Sequence, residues 1–210
     1  MDGVIVDTEP LHFEVTKTQL NTLGIDLTPE LHSTFTGNSN RNMYQKVILN
    51  YELSETLEDL LRTKNNLFVE AFNKSKNLEM LPGVLDLIKD LYKNGIQLIL
   101  ASSSEHHIIN LIFERFSLNQ YFSFRVSGDE FPESKPNPAI FLKAVELSGM
   151  RSENCLVIED SYSGIKAAKA ANLYCIAYKG EAEGQDQSMA DEIINDFAEL
   201  NYKRISKIND

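Results

Sequence analysis

A chain of 210 residues with 42% hydrophobic and 24% charged side chains carries enough apolar material for a folded domain with an added lobe, which excludes a disordered protein. Its formal net charge of -11 opposes nucleic acid and anionic lipid, and no basic patch overrides that average, so neither partner is expected. The longest apolar runs, such as Ile96 to Ala101, fall well short of the roughly 20 residues of a membrane helix, and no export pattern opens the chain, so a cytoplasmic protein is expected.

The chain begins Met1-Asp2-Gly3-Val4-Ile5-Val6-Asp7-Thr8-Glu9-Pro10, where Asp2 precedes a Gly that lets the backbone turn tightly beside a ligand. Read alone, Asp2 is more readily an exposed terminal residue. Helical periodicity follows in Leu11 to Leu23, Asn42 to Tyr51 and Leu57 to Asn73, with no strand pattern among them. Residues 11–77 are therefore expected to form an all-helical insert, and residues 1–10 and 78–210 a second domain, with two short crossings that permit hinge closure.

From Leu81 onward, short apolar runs alternate with helical segments, the pattern of an α/β parallel sheet covered by helices on both faces. A helix is expected over Pro82 to Asn94, ended by Gly95, then a strand over Ile96 to Ala101 and a helix over His106 to Phe116. A helix from Pro138 to Leu147, a strand from Cys155 to Ile158, a helix from Ser163 to Ala171 and a strand from Leu173 to Ala177 complete the alternation. The polar stretch Gly180 to Ser188 reads as a surface loop. Cys155 and Cys175 lie in apolar runs without CxxC spacing or a nearby His, as buried free thiols do.

Chemistry gathers at the ends of the expected strands. Ser102-Ser103-Ser104 follows a strand and opens a helix, where hydroxyl and N–H groups hold phosphate oxygens, or where serines merely cap and turn. Lys135, in Glu133-Ser134-Lys135-Pro136-Asn137-Pro138, offers an ammonium on a Pro-stiffened loop, although a lone lysine is usually solvated. Glu159 and Asp160 set adjacent carboxylates where a buried strand gives way to a helix, which suits a hard cation such as Mg²⁺ shared with a phosphate. The plainer alternative makes Asp160 a helix cap and Glu159 a solvated rim residue. Taken together and in this order, the four segments favour the chemical reading.

With these motifs the sequence resembles the haloacid dehalogenase superfamily, in its branch with a helical cap after the first motif, which contains β-phosphoglucomutases and sugar-phosphate phosphatases. The resemblance implies a Rossmann-like parallel sheet core flanked by helices, an inserted all-helical cap domain, Mg²⁺ and a phosphoaspartyl intermediate. It implies that Asp2 is the general acid/base whose carbonyl also ligates Mg²⁺, that Ser102 binds phosphate and that Lys135 balances charge. Glu159 and Asp160 would hold the metal. The family's nucleophilic Asp stands two places before its acid/base Asp, which falls one residue before Met1, on a strand central to the family's sheet. Without that strand, unpaired backbone groups costing about 1–3 kcal/mol each would burden a fold stable by only about 5–15 kcal/mol, so a chain starting at Met1 is expected to fold poorly.

Further positions bear on substrate. Thr8 and His12 match positions near the cap hinge, Ser103 and Ser104 flank the phosphate-binding serine, and Arg41 in Thr36-Gly37-Asn38-Ser39-Asn40-Arg41 offers a bidentate grip on a second phosphate. Its register is off by one, with Asn40 and Met43 where the mutases carry an arginine and a serine. Lys64 matches a substrate-facing lysine of the mutases, although an exposed helical lysine is the favoured reading of the residue taken alone. The resemblance thus implies a monomeric Mg²⁺-dependent phosphatase of a small phosphorylated metabolite, a sugar or polyol phosphate. A β-phosphoglucomutase is the second expectation, and a catalytically impaired phosphate-binding protein the third if the chain does start at Met1.

Overall fold

The computed structural model describes residues 1–33, 35, 40–180 and 185–208. The chain divides into two compact units, one of Met1–Asp7 with Glu79–Asp210 and the other of Thr8–Leu78. Among the described residues no helix is long and apolar enough to cross a membrane.

The helical unit contains α1 (Glu9–Thr22), α2 (Pro29–Ser33), α3 (Asn40–Tyr51) and α4 (Leu57–Lys74). Helix α1 starts before the expected Leu11 because Pro10 fits the first turn, where its missing N–H costs nothing, and Glu9 complements the positive helix end. Helix α4 is capped by Thr56, whose Oγ1 accepts from Asp59 N at 3.2 Å, and it runs from acidic Glu58 and Asp59 to basic Lys74. Leu20, Ile25, Leu27, Met43, Tyr44, Val47 and Leu60 form its core. Within that apolar volume Gln19 Nε2 donates to Leu60 O at 2.8 Å and Tyr44 Oη donates to Gln19 Oε1, so the buried polar atoms are matched.

The α/β unit contains α5 (Val84–Lys93), β1 (Leu98–Ser102), α6 (His106–Arg115), β2 (Phe122–Ser127), α7 (Ala139–Ser148), β3 (Leu156–Glu159), α8 (Tyr162–Ala170), β4 (Tyr174–Tyr178), β5 (Glu192–Ile194) and α9 (Tyr202–Ile205). Helix α5 buries Val84, Leu87, Ile88 and Leu91, an i, i+3, i+4, i+7 stripe, and stops before Gly95, whose φ of 78° only glycine adopts freely. Strands β2 and β5 were not anticipated: β2 alternates poorly, with Ser123, Phe124 and Arg125 all exposed, and β5 is three residues long.

All ladders are parallel, and they fall into two sheets, β1-β2 and β3-β4-β5. Among the described residues no ladder joins β1 to β3. One apolar core nevertheless spans both sheets, with Val126, Ile140, Phe141, Val157, Ile165 and Cys175 buried together and Ile99 and Ala101 packed against them. Parallel pairing ends β1 and β2 side by side at Ser102 and Ser127, and Lys135, which contacts both Ala101 O and Glu159, ties the end of β3 to the end of β1. Residues Met1 to Val6 form a tight turn, with Ile5 N donating to Met1 O at 2.7 Å, and join the unit through a Val6–Met80 bridge and a bond from Leu81 N to Ile5 O at 2.9 Å. Cys175 is buried and Cys155 half-buried, both free, and burial pushes the Cys175 thiol up to about 12.

Candidate active site

The centre of the α/β unit's strand-end cluster is a buried ion pair. Lys135 Nζ lies 2.6 Å from Glu159 Oε1, with both side chains 8% exposed, so Lys135 is no solvated lysine and Glu159 no rim residue. Lys135 Nζ also donates to Ala101 O at 3.3 Å and sits 4.6 Å from the Phe141 ring centroid. A single ammonium thus links β1 to β3, which share no ladder among the described residues.

The second oxygen of Glu159 is equally engaged. Oε2 accepts from Asp160 N at 3.0 Å, Ser161 N at 3.1 Å and Ser161 Oγ at 3.0 Å. With Lys135 that makes four donors, about the acceptor capacity of a carboxylate. Burial, the largest influence, would raise the Glu159 pKa, but Lys135, the Met1 ammonium and the Ser161 N–H together hold it at about 2. Ser161 in turn caps α8, accepting from Gly164 N at 3.1 Å.

Gly164 is the residue against which Glu159 rests: a Cβ there would lie 2.0 Å from the Glu159 carboxylate carbon. Gly164→Ala is therefore expected to lower the urea unfolding midpoint, at a cost of about 1–3 kcal/mol, because the held carboxylate cannot swing away without breaking its ion pair. An unchanged midpoint would mean that Glu159 is not clamped there.

Asp160 is pushed up to about 7, first by burial and then by the neighbouring Glu159 charge, with the Met1 ammonium opposing. That ammonium also lowers Glu159. Gly3 (φ 70°) packs directly on Asp160, since a Cβ on Gly3 would stand 2.1 Å from Asp160 Oδ2. The glycine is therefore demanded twice, by its backbone angle and by the close approach.

Asp2 is half-buried, and its Oδ2 accepts from Ser104 Oγ at 2.7 Å, so it is not a loose terminal residue. Ser104 is fixed in turn: its N–H donates to Ser102 Oγ at 3.1 Å, and its carbonyl accepts from Ser127 Oγ at 2.7 Å. Ser102 is buried and Ser103 exposed, with Gly128 so close that a Cβ would meet the Ser103 carbonyl oxygen at 2.8 Å. Helix α6 begins at His106, with Glu105 at its N-cap, so the serines form the loop before the helix rather than its first turn.

The donors around Asp160 and Asp2 are oxygens, and Gly3 keeps bulk away from them. Such a set fits a hard cation, which takes one or two carboxylates and completes its sphere with phosphate and water. Among the described residues no three His, Cys, Asp or Glu side chains group as a complete metal centre. This is compatible with Asp2 contributing its main-chain carbonyl.

The remaining expected residues lie in the helical unit. Thr8 is buried just before α1, and His12 stacks on Phe68 with centroids 4.5 Å apart. Lys64 is 4% exposed, which corrects the exposed-lysine reading; it donates to Asn40 Oδ1 at 2.5 Å. Burial pushes it down to about 8, against the pull of Glu9. Arg41 is 54% exposed and 3.7 Å from Glu58, and Thr36 to Ser39 of its loop lie outside the described residues.

Three contributors escaped the sequence reading. Ser161 was findable, since a Ser before a helix is a cap signal. The Ala101 carbonyl and Gln187 were not, because neither belongs to a local pattern. Gln187 is the exception within the expected surface loop of Gly180 to Ser188: it is 7% exposed while Asp186 and Ser188 on either side are exposed, and Glu181 to Gly184 lie outside the described residues.

Fold and site together define an α/β body with acidic, basic and hydroxyl side chains gathered at its strand ends. Residues 1–178 match the haloacid dehalogenase-like hydrolase family, and the chain belongs to it. The chain is 32% identical over 173 residues to a phosphorylated carbohydrates phosphatase of Thermotoga maritima, covering 82% of this chain and 79% of that protein. It is 30% identical over 207 residues to a phosphoglycolate phosphatase of Nitrosococcus oceani, covering 95% and 92%. Among solved structures, CbbY from Rhodobacter sphaeroides in complex with xylulose-(1,5)bisphosphate matches with a TM-score of 0.85 at 25% identity, covering 95% of this chain and 93% of that one. The chain is thus an enzyme of a hydrolase family with phosphatases among its relatives.

Proposed function

We propose that the protein is a Mg²⁺-dependent phosphatase of a small sugar or polyol phosphate, with the nucleophilic Asp carried by the residue immediately before Met1 in a longer form of the chain. The observation that carries this reading is the meeting of Asp2, Ser104, Lys135, Glu159 and Asp160 at the strand ends of one unit. The close packing of Gly3 on Asp160 supports it, since it brings the first residues of the chain to the acidic pair.

In this reading the upstream carboxylate attacks phosphorus in line, while Lys135 and the loop of Ser102 and Ser103 hold the phosphoryl oxygens. Asp2 protonates the leaving oxygen and then takes a proton from water, with Ser104 fixing its orientation. Asp160 and the Asp2 carbonyl would hold Mg²⁺ with Glu159 beside them; when bound, the ion neutralises phosphate charge. In the helical unit, Thr8, His12, Arg41 and Lys64 are the residues proposed to contribute to substrate choice. The phosphorylated carbohydrates phosphatase and the xylulose bisphosphate complex among the relatives support the sugar phosphate class.

The test is phosphate release by the protein expressed with its upstream residues, from sugar and polyol phosphates and from phosphoglycolate, with Mg²⁺ and after chelation. Turnover that needs both the cation and the preceding Asp is expected. Glucose 6-phosphate formed from β-glucose 1-phosphate with little free phosphate would replace this reading with a mutase. Ligand binding without turnover in the longer form would leave a binding protein.

A further inference from the structure

Asp160 is held through its backbone from both sides. Its N–H donates to Glu159 Oε2 at 3.0 Å, and its carbonyl accepts from Gln187 Nε2 at 2.6 Å. The two peptide groups flanking one Cα carry its φ and ψ, so fixing both fixes the direction in which the side chain leaves the backbone. Gln187 lies 27 residues away from Asp160 and is buried, and its amide also donates to Tyr178 O at 2.8 Å. Both carbonyls stand just at or beyond the ends of neighbouring strands, where the β3-β4 ladder has run out. A tie meant only to hold the segment would be satisfied at Tyr178. The same segment is fastened a second time by Tyr162 N donating to Gln185 Oε1 at 3.1 Å, at the start of α8.

We infer that Gln187 is a positioning residue that sets the affinity of the Asp160 site for its divalent cation, by clamping the Asp160 main chain so that the carboxylate is presented to the ion without rearrangement. This rests on the reading of Asp160 as a cation ligand. Groups that orient a ligand without touching the ion commonly control affinity 10- to 100-fold. Nothing local in the sequence marks Gln187, because the amide acts through a carbonyl that any residue would provide.

The test is titration of Mg²⁺, or of Mn²⁺ followed by its spin signal, into the full-length protein and into Gln187→Met, which keeps the length of the side chain and removes both donors. The dissociation constant is expected to rise about tenfold, with kcat returning near the parent value at saturating cation. A lower unfolding midpoint with an unchanged dissociation constant would make the amide merely structural and overturn the inference. Gln187→Glu, of nearly the same shape, serves as the second variant, and failure of both to fold would overturn it likewise. Asp160→Asn runs in parallel. If the parent protein binds no cation, or Asp160→Asn binds as tightly, the reading of Asp160 falls and this inference with it. If Asp160→Asn loses binding and Gln187→Met does not, only the inference falls.

Discussion

Lys135→Met is expected to destabilise the α/β unit by about 3–5 kcal/mol, because it leaves the buried Glu159 carboxylate without its countercharge. The pair is 2.6 Å apart and nearly closed to solvent, so screening by water does little to soften the loss. Methionine replaces the apolar stem that lies over Phe141, which confines the change largely to charge. Adding Glu159→Leu should recover most of the stability, since removing both members of a buried pair is often neutral while removing one is not.

The pH dependence has a definite sign. Glu159 is held at about 2 when folded, against 4.5 ordinarily, so its stabilising contribution is full above that ordinary value and fades as pH falls toward 2. Without Lys135, burial is the dominant influence and raises the Glu159 pKa, so the variant regains stability as the carboxyl protonates. Urea unfolding of the cation-free proteins should show a gap that is widest near pH 7 and narrower at pH 4. A loss below about 1 kcal/mol, or one indifferent to pH, would mean that the two charges are not buried together.

Asp2→Asn tests the chemistry rather than the fold. In the longer form carrying the preceding Asp, turnover should fall about 10²- to 10⁴-fold, the usual worth of a general acid/base. The amide keeps the shape and still accepts from Ser104 Oγ, so the unfolding midpoint should hold. Cation affinity should hold as well, because the proposed contact of this residue with the ion is its main-chain carbonyl. Near-parental turnover in a folded Asp2→Asn protein would remove Asp2 from the reaction.

The strands at Leu98–Ser102, Leu156–Glu159 and Tyr174–Tyr178 and the helices between them were legible because each carries its own periodicity and stop signals. So were the four segments whose side chains meet at the strand ends, because Asp before Gly, serine after a strand, lysine between prolines and paired acids before a helix are each a local pattern. Strand β2 was not legible: its exposed Ser123, Phe124 and Arg125 break the alternation, and it forms as the parallel partner of β1. Lys64 was misjudged toward exposure because one helical lysine looks like another until its burial against neighbouring elements is known.

By itself the sequence determined the α/β class, the helical insert and the acidic, basic and hydroxyl groups available for phosphate chemistry, since these follow from side-chain identity and spacing along the chain. Only the tertiary structure decided how those groups are held: Lys135 locked to Glu159 across two strands, Asp2 bound to Ser104, Asp160 clasped by Gln187. Each of those contacts joins residues far apart in the chain, and contacts of that kind are set by how the strands and loops pack. No window of sequence contains them.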